Sequence, residues 1–109
     1  MNKDKIIHSA LSAETNDTYE FPAIPTGATW VIKNFGACDI NLGDGKSSVY
    51  VLMYDADIIK MLSLTGNTYE TTINKEFLGD GNKKIKIKRY NKSVFNKEMP
   101  AWIKAYKKN

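Results

Sequence analysis

The sequence predicts an all-β protein, an antiparallel two-sheet β-sandwich or jelly roll of seven or eight short strands, and three observations carry that expectation. Turn-forming residues recur at short intervals: Pro22, Pro25, Gly27, Gly36, Gly43, Gly45, Gly66, Gly79, Gly81 and Pro100 leave little room for a helix longer than about three turns. Between them, β-branched and aromatic residues alternate with polar ones at period two, the repeat of a strand with one face buried. Two further runs are apolar on both faces, as central strands covered from either side are. At 109 residues and 42% hydrophobic composition, one core is expected, so residues 1–109 read as a single domain.

The segment from Met1 to Ala10 begins basic and turns apolar, but His8, Ser9 and Ser12 break the run, so it reads as the first strand rather than a leader. Thr18-Tyr19-Glu20-Phe21 alternates as a half-buried strand. Thr29 to Phe35 and Ser48 to Tyr54 are the two-sided apolar runs, to be covered by other parts of the chain or by a neighbouring subunit. Asn41 to Lys46 carries the Gly and Asp residues of a tight hairpin turn, and Gly79-Asp80-Gly81-Asn82 repeats that chemistry. Thr68 to Ile73 alternates again. In Lys84 to Tyr90 the pattern places Ile85 and Ile87 in the core and Lys84, Lys86 and Lys88 in a row outside. Asp57 to Gly66 and Pro100 to Tyr106 read as strands, with a short capped helix as the alternative for each.

Charge is unevenly placed along the chain. Residues 83–109 hold ten Lys or Arg against one acid, Glu98, for a net +9, whereas residues 1–82 hold six lysines against eleven acids, for a net −5. A basic C-terminal third permits an anionic partner; a solvated sheet face whose lysines discourage edge pairing is the competing explanation. No apolar run approaches the ~18 residues of a membrane span. Cys38 is the one cysteine, which excludes an intramolecular disulfide and fits cytoplasmic synthesis.

Catalytic chemistry needs a nucleophile with a base, a carboxylate pair or a metal cluster. His8 is the only histidine, and Cys38, set after Gly36-Ala37, reads as a small buried hydrophobe. Asp39, Asp44, Asp55, Asp57 and Asp80 fall in or near turns, where turn chemistry explains them and no calcium-loop spacing is present. No catalytic residue, metal ligand or cofactor is therefore assigned. The binding candidates are Tyr90, Trp102 and Tyr106, aromatic rings amid lysines, together with Lys84, Lys86, Lys88 and Arg89; Lys92 extends the basic row. Trp30 and Tyr50, set among aliphatics, read as core.

The run Phe21-Pro22-Ala23-Ile24-Pro25-Thr26-Gly27-Ala28-Thr29-Trp30-Val31-Ile32 resembles the opening of small β-sandwich modules of phage and prophage virion proteins, and Lys97 to Tyr106 looks like their final strand. The resemblance touches under a quarter of the chain and carries over no functional residue. It implies a non-enzymatic structural or interaction module that decorates a capsid, joins tail parts or recognises a receptor, self-associating as a homo-oligomer or docking on other virion proteins. Two alternatives stand beside it: a carbohydrate-binding module using Trp102, Tyr106 and Tyr90, and a single-stranded nucleic-acid binder using Lys84, Lys86, Lys88, Arg89 and Lys92 with Tyr90 stacking.

Overall fold

A computed structural model describes residues 3–7, 9–40 and 43–108. His8 and the first two residues of the expected Asn41 to Lys46 turn lie outside them. The described residues are all-β, with ten strands: β1 Lys5–Ile7, β2 Ala10–Leu11, β3 Asn16–Glu20, β4 Thr29–Cys38, β5 Ser48–Tyr54, β6 Asp57–Leu64, β7 Thr68–Leu78, β8 Ile85–Asn91, β9 Lys97–Glu98 and β10 Ala101–Lys107. Both segments with a helical alternative are strands, β6 and β10. The count exceeds the expected seven or eight because the ends of the chain contribute the short pieces β1, β2 and β9.

All pairing is antiparallel and nested. β5 pairs with β6, β4 with β7, β3 with β8, β2 with β9 and β1 with β10, as if one long hairpin had been folded over. Two further ladders, β10 with β4 and β8 with β5, complete four-stranded sheets of order β1-β10-β4-β7 and β3-β8-β5-β6. The connections β3–β4, β4–β5, β6–β7 and β7–β8 all pass from one sheet to the other. The Gly43/Gly45 and Gly81 segments therefore use the positive φ expected of them but are not tight hairpins. The tight turn falls instead at Asp55-Ala56, where Tyr54 pairs with Asp57 and Asp55 takes φ 55°.

Residues from both sheets fill one hydrophobic cluster, with Ile32, Phe35, Tyr50, Leu52, Ile85 and Ile87 wholly buried. A bulge at Lys33 shapes it. Trp30 and Ile32 face inward at period two, and Lys33, which has no partner on β10, shifts the phase so that Phe35 and Ala37 continue the inner row. Gly36, expected at a turn, lies inside β4. It sits opposite Trp102 of β10, and a Cβ there would overlap the indole ring, so the glycine makes room for a close aromatic neighbour.

One end of the core is polar and fully paired. Asp39, after β4, and Lys97 of β9 form a buried ion pair at 2.8 Å, and the Asp39 carboxylate also accepts the Ser48 hydroxyl and the Gly66 amide at 2.6 Å. Burial would raise the Asp39 carboxyl, but hydrogen bonds from Lys97, Ser48 and Gly66 outweigh it and hold the group below its ordinary range. Beside it the Tyr50 hydroxyl donates to the Cys38 carbonyl at 2.8 Å, and burial pushes this phenol well above its usual range.

Candidate binding groove

β8 presents two rows. Its inner row runs Ile85, Ile87, Arg89 and Asn91, all buried; its outer row carries Lys86, Lys88 and Tyr90, continuing from Lys84, all half-buried. Six of the seven residues singled out for binding thus remain at the surface to some degree, but Arg89 does not. It is 1% exposed, and its guanidinium donates to Asp17 Oδ1 at 2.9 Å and Asp17 Oδ2 at 2.5 Å. The same group donates to the Ser9 carbonyl at 2.8 Å, the Met99 carbonyl at 2.9 Å and Ser9 Oγ at 3.1 Å. Arg89 is a structural brace and is withdrawn from the binding set.

The remaining candidates divide between the two sheets. Trp102 and Tyr106 lie on β10, away from Tyr90 on β8. Trp102 is half-buried over Gly36, with its indole N–H donating to Glu70 Oε1 at 3.1 Å. Lys104 reaches the same carboxylate at 3.0 Å, and Lys104 first and Trp102 second hold it below its ordinary value. Tyr106 is 39% exposed. No shared platform of the three rings exists.

Where Tyr90 and Lys88 stand, the structure adds residues that the sequence had not singled out. Across β5, Val49 pairs with Tyr90 and Ser63, Val51 with Lys88 and Met61, and Met53 with Lys86 and Ile58. Period two turns these β5 side chains outward, opposite to Tyr50 and Leu52 in the core. They floor a groove of about 410 Å³ on the outer face of the β3-β8-β5-β6 sheet, walled by Ile58 and Met61 on β6 and by Lys88, Tyr90 and Lys92 on the β8 side. Val49 and Val51 point outward yet are only 8% and 4% exposed, because these walls rise on both sides, whereas Ile58 and Met61 remain 61% and 54% exposed. The cover that the two-sided apolar pattern called for is thus supplied in part by the chain's own lysines, tyrosine and methionine.

The electrostatics of the groove are one-sided. Lys88 and Lys92 line it and no carboxylate does. The Lys88 ammonium sits 5.2 Å from the Tyr90 ring centroid, and Lys86, one step along β8, is paired with Glu20 at 3.4 Å. A larger cleft of about 520 Å³ lies beside Tyr19, Phe21 and Trp30, but Lys3 and Lys5 there already sit over Trp30 and Tyr19, at 5.5 and 5.4 Å. The outward side of β5 was the available signal for the groove: a strand apolar on both faces has a second face that needs an occupant.

The described residues contain no group of three or more His, Cys, Asp and Glu side chains placed to hold a metal. Ser48 and Lys97, a hydroxyl and an amine, both donate to the Asp39 carboxylate, and Ser48 is 0% exposed. Asp80 does the work of a turn, accepting the Asn82 and Lys83 amides, whereas Asp44 accepts the Lys46 amide of its own turn and also holds the Ser93 hydroxyl and the Val94 amide. Comparison with known proteins finds no family model and no curated protein that matches this chain.

Proposed function

We propose that this protein is a non-enzymatic interaction module, a two-sheet sandwich of jelly-roll topology of the kind found in phage virion proteins, which docks on a larger assembly through the groove on the β3-β8-β5-β6 sheet. The nested order supports the topology: strands that pair first with last, crossing between sheets at nearly every connection, are what two interlocked Greek keys require. Jelly rolls serve capsids and lectins alike, so the role rests on the surface rather than on the fold. The observation that carries it is the groove itself, where exposed Ile58 and Met61 border a concave apolar floor. The carbohydrate alternative loses its joint aromatic platform, since Tyr90 and Trp102 stand on different sheets.

Panning a random peptide library on the immobilised protein tests the docking surface. Enriched sequences should bind the wild type and lose at least tenfold in affinity for Met61→Lys, a change at an exposed position that leaves the fold intact. Failure to enrich any sequence, or binders indifferent to Met61→Lys, would remove this reading.

A further inference from the structure

Resting on that docking surface, we infer that the groove receives an extended acidic segment of a partner protein, in which apolar and acidic side chains alternate. The floor sets the first half of the match. Val49, Val51 and Met53 are successive outward residues of one strand and so repeat every two residues, about 7 Å. A second extended chain laid along β5 presents side chains toward the floor at the same repeat, so each apolar side chain meets a valine or methionine below it. Ile58 and Met61 close one wall against the same side chains.

Charge sets the second half. Lys88 and Lys92 stand on the opposite wall, neither forms an ion pair among the described residues, and no carboxylate lines the groove. An extended partner turns its acidic side chains away from the floor, where the long side chains of Lys92 and of Lys88, which rests against the Tyr90 ring, can reach them with no carboxylate of the groove to compete. The same charge disfavours a second copy docked by the identical face, which would bring two pairs of lysines together over an acid-free floor. Single-stranded nucleic acid is disfavoured by the lining, which offers one ring, Tyr90, with the Lys88 ammonium already against it.

Calorimetric titration of the full chain with a synthetic peptide of alternating Leu and Glu tests the assignment, with a Leu/Lys peptide and a thymidine oligonucleotide as comparators. The Leu/Glu peptide should bind, lose at least tenfold in affinity for Lys88→Glu/Lys92→Glu, and be unaffected by Lys107→Glu on the other sheet. The charge-reversed protein should take the Leu/Lys peptide instead, which also shows that it is folded. Preference of the wild type for the oligonucleotide or the Leu/Lys peptide overturns the inference, as does equal loss of Leu/Glu binding on Lys107→Glu. Neutral or basic sequences from the library that still depend on Met61 would sink the acidic partner alone and leave the docking surface standing.

Discussion

A guanidinium has five N–H groups, and in Arg89 all five have acceptors: two on Asp17, two on Ser9 and one on Met99. One side chain thereby ties β8 to β3, to the segment between β1 and β2, and to the start of β10. Removing it leaves the Ser9 and Met99 carbonyls without their donor, while the exposed side of Asp17 keeps its access to solvent, so Arg89→Met should cost about 1–3 kcal/mol in urea unfolding. Arg89→Lys, with three donors for the same acceptors, should fall between. The sequence held the signal for this burial: counting by twos from Ile85 and Ile87 reaches Arg89, while the lysines fall on the other parity. What it could not show was Asp17, seventy-two positions away, which makes burial of the charge tolerable. Asp39 behaves by the same logic with pH as the variable. Its folded-state carboxyl titrates below the ordinary 3.8, so its contribution is complete above about pH 4 and is lost as pH falls through the folded value. Urea midpoints measured from about pH 7 down to pH 2 should show a steep acid limb, flattened in Asp39→Asn, which is also the less stable protein at neutral pH.

Gly36 and Trp102 show what a strand can accommodate. The indole occupies the space a side chain at 36 would need, so Gly36→Ala forces the ring or the backbone to move and should cost about 1–3 kcal/mol. In Gly36→Ala/Trp102→Ala the clash is gone, and the double variant should be more stable than the sum of the two single costs predicts. A purely additive result in chemical denaturation would show that the ring does not lie over the glycine. Elements with strict alternation, Lys84 to Tyr90 above all, were readable because one rule governs every residue. β4 was not, because the bulge at Lys33 against β10 changes the phase halfway, and Val31, on the opposite face from Trp30 and Ile32, is buried as well. Gly36 was misread as punctuation for a related reason: glycine marks close approach as well as turns, and only the partner strand distinguishes them.

At the scale of the molecule, the order of strands in each sheet was beyond the sequence, since pairing depends on segments up to a chain length apart, while the all-β character was plain from turn spacing. The groove stood between these cases. Its β8 wall was named from charge and ring chemistry, but its floor required knowing that β5 lies beside β8 and that Val49, Val51 and Met53 share a face. The order also sets where backbone amides are held most firmly. β4, β10, β5 and β8 each have a ladder on both sides, and β1, β3, β6 and β7 on one, so hydrogen exchange should be slowest in the first four strands. Equal protection along β7 and β4 would contradict the sheet order. Nesting has a further consequence for a chain emerging from a ribosome. β5 and β6 can join as soon as both are made, and β4 can pair with β7, but β1 and the other edge of β4 must wait for β10, which is the neighbour of both. Until β10 emerges, half of one sheet is an open seam, so the interval of greatest danger from wrong partners runs from the making of β4 to the making of β10.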